Sequence, residues 1–132
     1  MELKKSYSVL IVDDDIDICN IIKEYLITVR PFKSIIIATD GKDAEQKIRM
    51  QEFDILITDL NMPRMNGMKL IANLVKDKKI DPTQIIIVSG ELDKFYLTQA
   101  QTMGIKNILI KPFNKETFIQ RINSVLNNMP KT

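Results

Sequence analysis

The sequence predicts an α/β fold, a doubly wound parallel sheet of five strands in the order 2-1-3-4-5 with helices on both faces. Two observations carry this expectation. Short Ile- and Val-rich runs alternate five times with longer segments of helical spacing. The runs are also apolar at successive positions rather than alternate ones, so both of their faces need cover. Parallel strands buried between helices have that pattern, and half-solvated antiparallel strands do not.

The first strand is expected over Val9–Val12, followed by a helix with the stripe Ile18, Ile22, Tyr25, Leu26 and Val29. A strand over Ser34–Ala38 leads past Gly41 into a shorter helix marked by Ala44, Ile48 and Met50. The third strand, Asp54–Thr58, precedes a helix carrying Met68, Leu70, Ile71, Leu74 and Val75. The fourth, Gln84–Val88, precedes Leu92, Phe95, Tyr96, Ala100 and Met103, with Gly104 placed to end that helix. The fifth, Asn107–Ile110, precedes Phe118, Ile119, Ile122, Val125 and Leu126, with Asn114 as the helix cap. Strand–helix–strand connections of this kind give right-handed crossovers and a three-layer (βα)5 sandwich of the flavodoxin-like type. The chain reads as a single domain over residues 1–132, its core spanning about 7–128, with a polar tail at 127–132 that frays.

Composition narrows the function. The 132 residues are 45% hydrophobic, enough for one full core. A formal net charge of +2 is too balanced to attract nucleic acid or a membrane at long range. The basic cluster Lys76, Lys78 and Lys79 is interrupted by Asp77 and reads as a solvated helix end. One cysteine, Cys19, allows no internal disulfide and suits a reducing compartment; it reads as core filler. There is no histidine, the commonest metal ligand and general base. No apolar stretch approaches the ~18 residues of a membrane span, and Met1–Lys5 does not open a signal peptide. A cytoplasmic protein is expected.

The chemistry collects at the strand ends. Asp13, Asp14 and Asp15 follow the first strand, Asp59 the third, Ser89 the fourth and Lys111 the fifth. These four strands are neighbours in the expected order, so their ends share one pocket at the carboxyl edge of the sheet. The second strand lies at the edge, which leaves Asp40 as a turn or cap residue. Asp15 likewise suits the N-cap of the first helix. Two like charges 4 Å apart cost about 4 kcal/mol at an effective dielectric near 20. A hard divalent cation relieves that repulsion, and an all-oxygen donor set suits Mg2+, with Mn2+ as the alternative. Asp14 and Asp59 are the expected direct ligands, with Asp13 acting through water and the Asn61 backbone carbonyl completing the set. An Asp59 oxygen can then attack phosphorus to form an acyl phosphate. Lys111 and Ser89 would stabilise charge on the equatorial oxygens.

These residues together resemble the response regulator receiver domain of the CheY-like kind. The likeness rests on Asp13-Asp14, Asp59, Met62-Pro63, Gly67, Ser89-Gly90 and Lys111-Pro112-Phe113, and covers nearly the whole chain. It implies that Asp59 accepts phosphate from a histidine kinase or a histidine phosphotransfer protein. It implies a cis Lys111-Pro112 peptide, and hydrolysis tuned by Asn61 and Glu91. It also implies a downstream protein target or output domain, and a homodimer face formed by the fourth helix, fifth strand and fifth helix. Such a domain is a phosphoacceptor that assists its own phosphorylation and dephosphorylation, not an enzyme with a separate substrate. One departure stands out. The family usually has Tyr or Phe three residues before the lysine, where this chain has Ile108. Phe95 and Tyr96 on the fourth helix are therefore candidates for the readout, with core packing as the alternative for both.

Three rivals remain in view. A Mg2+-dependent aspartyl-phosphate phosphohydrolase would take its nucleophile after the first strand, but Asp17 stands where a hydroxyl is needed. A flavin-type phosphate binder is disfavoured by three aspartates in that loop. A receiver-like module that signals by binding alone is disfavoured by the complete acidic pocket.

Overall fold

The computed structural model describes residues 6–60, 62, 66–90 and 94–129. Along these, β1 (Ser8–Val12), α1 (Ile16–Val29), β2 (Ser34–Ala38), α2 (Gly41–Met50), β3 (Ile55–Thr58) and α3 (Gly67–Lys76) alternate. A short 3-10 turn (Pro82–Gln84) then precedes β4 (Ile85–Ser89), α4 (Lys94–Thr102), β5 (Asn107–Ile110) and α5 (Lys115–Asn127). The sheet is parallel throughout, in the order β2-β1-β3-β4-β5.

Side chains alternate across each strand, so one strand feeds two cores. Val9 and Ile11 join Ile57, Val88, Cys19, Ile22, Phe118 and Ile122 beneath α1 and α5. Leu10 and Val12 face the other way, joining Leu56, Ile87, Ala44, Ile71, Leu74 and Ala100 beneath α2, α3 and α4. Full burial of such a side chain is worth about 1.5–3 kcal/mol, and these two layers hold the sandwich together.

The helix starts follow from their caps. Asp15 accepts from the Asp17 and Ile18 N–H groups, Asp40 from Asp43, Asn66 from Met68 and Asn114 from Thr117. These short polar side chains satisfy the otherwise orphaned first-turn donors. At the other end of α4, Gly104 has φ +93. The Ile105 and Gly104 N–H groups return to Ala100 and Gln101, a left-handed glycine cap as the sequence suggested.

The differences from expectation have local causes. Gln84 lies outside β4, because Asp81 and Gln84 form a capping box around the 3-10 turn; Ser89 is instead the last residue of that strand. Asp54 lies outside β3, and its carboxylate accepts the Ser8 N–H at 2.8 Å. β2 and β5 are only partly covered, since each has a neighbour on one side alone. Met50 projects into solvent rather than joining the α2 stripe. Met129, placed by sequence in a fraying tail, is buried with Val125 in the α1–α5 core. Pro63 and Leu92 lie outside the described residues.

Cys19 is buried, as expected of core filler, and its thiol donates to the Asp13 carbonyl oxygen at 3.4 Å. Burial first, then the charges of Asp13 and Asp15, push its pKa up to about 12. Thiolate is the reactive form, so at pH 8.5 fewer than about one Cys19 in a thousand is ionised. Thiol-specific labelling of the native protein is expected to be negligible over hours and rapid in denaturant. Prompt native-state labelling would mean that α1 opens readily.

Candidate functional site

Parallel register builds the site. Val12 pairs with Thr58 across β1 and β3, so the next residues, Asp13 and Asp59, leave the sheet side by side. The ladder continues one step further: the Asp59 N–H donates to the Val12 carbonyl at 2.9 Å and the Asp13 N–H to Ala38 at 3.1 Å. On the far side Ser89 pairs with Ile110, and the Lys111 N–H donates to the Ser89 carbonyl at 2.8 Å. Lys111 thus starts at the end of β5, two strands from Asp59 with β4 between, and reaches back to the carboxylates along its four-carbon stem. The Lys111-Pro112 peptide is cis, as the resemblance implied.

The Lys111 ammonium lies 2.7 Å from Asp13 Oδ2 and 3.2 Å from Asp59 Oδ2. Asp13 is 1% and Asp59 6% exposed, while Asp14 faces solvent. Oxygen atoms of Asp13, Asp14 and Asp59 all lie within 4.8 Å of one another. Asp13 Oδ1 accepts the Asp15 N–H at 2.9 Å. Its other oxygen, Oδ2, is buried, and among the described residues it meets the Lys111 ammonium.

The electrostatics are uneven. Burial raises the Asp13 pKa above the usual carboxylate range, although Lys111 and the Asp15 N–H oppose it, and the Asp59 charge adds to the rise. Burial acts on Lys111 in the opposite sense, but Asp13 and Asp59 outweigh it and raise that pKa too. One ammonium is held by two carboxylates, and Asp13 loses more to burial than the ammonium returns. Among the described residues, three carboxylates face one ammonium, which leaves the cluster short of positive charge. Three clustered carboxylates, two of them buried, form an all-oxygen donor set that fits a hard divalent cation.

The loop after Asp59 is tightly tied. Asp59 Oδ1 accepts the Leu60 N–H at 2.7 Å, and the Thr58 hydroxyl donates to the Asp59 carbonyl at 2.9 Å. The Gly67 N–H donates to the Leu60 carbonyl at 2.8 Å. A Cβ on Gly67 would collide with the Asp59 carbonyl oxygen and stand 2.7 Å from Leu60 Cα. Both are backbone atoms and cannot swing aside. Gly67→Ala is therefore expected to cost about 1–3 kcal/mol in denaturant unfolding, and to displace Asp59. A variant of wild-type stability would show that this approach is looser.

Ser89 is buried at the end of β4 beside this cluster. Ile108 is partly buried in the layer that also holds Tyr96. Phe95, by contrast, is 63% exposed, which overturns core packing for that ring. Asn61 and Glu91 lie outside the described residues. Sequence reasoning missed Asn66, whose Nδ2 donates to the Tyr96 hydroxyl at 3.0 Å while its Oδ1 caps α3. Asn before Gly at a helix start was the available signal for the cap, but nothing local indicated the tyrosine.

The family model for the response regulator receiver domain matches residues 9–123. The chain belongs to that family. Among curated relatives, the receiver is 27% identical over 127 residues to chemotaxis protein CheY-3 of Vibrio cholerae, covering 96% of this chain and 97% of that protein. It is 32% identical over 118 residues to a CheY homolog of Campylobacter jejuni, covering 89% and 90% of the two chains. It also matches regulatory protein VirG of Rhizobium rhizogenes at 31% over 122 residues, which is 92% of this chain but 49% of VirG. The receiver superimposes on the response regulator CheY4 of Vibrio cholerae with a TM-score of 0.78 at 27% identity, covering 92% and 99% of the two chains. Receivers are phosphoacceptor signalling domains of two-component systems rather than classical enzymes. Among the described residues, no helix is long and apolar enough to cross a membrane.

Proposed function

We propose that Asp59 is the phosphoacceptor of a Mg2+-dependent signalling switch, charged by a histidine kinase or a histidine phosphotransfer protein. The observation that carries this reading is the bridging of the buried Asp13 and Asp59 carboxylates by Lys111, with the Asp14 carboxylate within reach of both. Asp13, Asp14 and Asp59 would hold the ion, with the Asn61 carbonyl assigned by sequence position. Mg2+ when bound supplies charge neutralisation for the phosphoryl oxygens.

The chain's own residues do the rest. An Asp59 oxygen attacks phosphorus, the P–N bond to the donor imidazole breaks, and the imidazole departs with a proton. Lys111 moves its ammonium from the carboxylates to a phosphoryl oxygen, and the Ser89 hydroxyl donates to another. Hydrolysis returns Asp59 to its carboxylate, with Asn61 and Glu91 as the residues that set its rate. The outer surface of α4, β5 and α5, where Phe95 and Ile110 are exposed, is the contact face for a downstream protein or second copy. A cytoplasmic location accompanies the proposed kinase.

The phosphohydrolase alternative is weaker. Asp17, where that chemistry needs a hydroxyl, is exposed, and its N–H is committed to the Asp15 cap. Intact mass after incubation with acetyl phosphate and Mg2+ tests the proposal. Gain of one phosphoryl group supports it, and an unchanged mass removes it.

A further inference from the structure

The Asn66 amide and the Tyr96 hydroxyl meet across a long stretch of chain, and that hydrogen bond joins two elements that flank the acidic site. On one side it reaches back to the phosphoacceptor loop. Asn66 caps α3, the adjacent Gly67 N–H holds the Leu60 carbonyl, and the Leu60 N–H holds Asp59 Oδ1. On the other side Tyr96 lies in the first turns of α4, its ring 5.6 Å from that of the exposed Phe95. An unbroken set of short contacts therefore runs from Asp59 to a solvent-facing ring.

We propose that the Asn66–Tyr96 hydrogen bond is a resting-state latch, made while Asp59 is free and given up when Asp59 carries a phosphoryl group. The inference rests on the Asp59 reading above. Ser89 ends β4 shortly before α4 begins, so a hydroxyl drawn toward a phosphoryl oxygen pulls on the α4 side of the latch. Asn66 holds the α3 side in place through its cap and through Gly67, which is packed against the Asp59 backbone. The two pulls oppose each other at one hydrogen bond. Ile108 shares the apolar layer with Tyr96 and has no polar atom to take part, which leaves Tyr96 as the polar aromatic ring at this boundary among the described residues.

A bond made in one state only must shift the equilibrium between states by its own net worth. Tyr96→Phe keeps the ring in its apolar layer and deletes only the hydroxyl. Asn66→Ser keeps a capping oxygen and is too short to reach Tyr96. Titration of each variant with beryllofluoride at saturating Mg2+ reads the outcome directly. Each is expected to bind the phosphoryl mimic about two- to tenfold more tightly than wild type, the range of one net hydrogen bond. The double variant should gain no more than either single one, because both delete the same contact. A bond present equally in both states would leave affinity unchanged, so unchanged or weaker binding in Tyr96→Phe overturns the latch, as do additive gains. If wild type neither binds the mimic nor gains mass from acetyl phosphate, the Asp59 reading falls and the latch with it.

Discussion

Asp59→Asn is expected to gain no mass from acetyl phosphate and Mg2+ under conditions that load the wild type fully. The amide is nearly the same size as the carboxylate, so the local structure should survive. Its oxygen can still accept the Leu60 N–H that now binds Oδ1 at 2.7 Å. Lys111 keeps its 2.7 Å contact with Asp13. Only the nucleophilic oxygen is lost, since a neutral amide oxygen lacks the negative charge that lets a carboxylate displace an imidazole or acetate from phosphorus. A circular dichroism spectrum matching wild type would separate lost chemistry from lost fold. Mass gain by the variant would move the acceptor to Asp13 or Asp14, the two carboxylates within 4.8 Å.

The strands were legible because each is a short apolar run between turn signals, and parallel pairing needs no partner-specific code. The site followed from the same logic, since strand ends in a doubly wound sheet converge on one edge. Clustered acids with a single lysine at those ends imply a cation from residue identity alone. What escaped the sequence depends on approach in three dimensions. Gln84 looks like the start of β4 until Asp81 captures it in a capping box. Met129 looks like part of a polar tail until α5 docks and brings it against Val125. The Asn66–Tyr96 bond joins residues on different helices, and neither residue's neighbours announce the other. Phe95 was ambiguous because an aromatic ring on an amphipathic helix fits either core or docking surface. Only the helix rotation, which exposes Phe95 and tucks Tyr96 inward, decides it.

Asp13→Asn is expected to reverse its stability ranking against wild type when Mg2+ is added. In metal-free buffer the wild type holds a buried carboxylate whose pKa is raised, chiefly by burial. The sign follows from proton counting: between the unfolded and folded pKa values the native state binds more protons than the unfolded one. Stability therefore falls as pH rises through the folded value. Wherever the native carboxylate is ionised that penalty is present, and a neutral amide at position 13 removes it, so in metal-free buffer the variant should melt at or above the wild type. Mg2+ inverts the balance. At ten times its Kd the ion adds about 1.4 kcal/mol to the wild type by mass action, an upward shift of roughly 5 °C for a chain of this size. The variant keeps Asp14 and Asp59 but loses one of the three carboxylates against the same ammonium. Its response to the same Mg2+ concentration should nearly vanish. Thermal melts with and without the ion, at neutral pH and low salt, would show the two curves changing places. Equal Mg2+ shifts in both proteins would take the ion away from Asp13, and with it the reason for burying that carboxylate against those of Asp14 and Asp59.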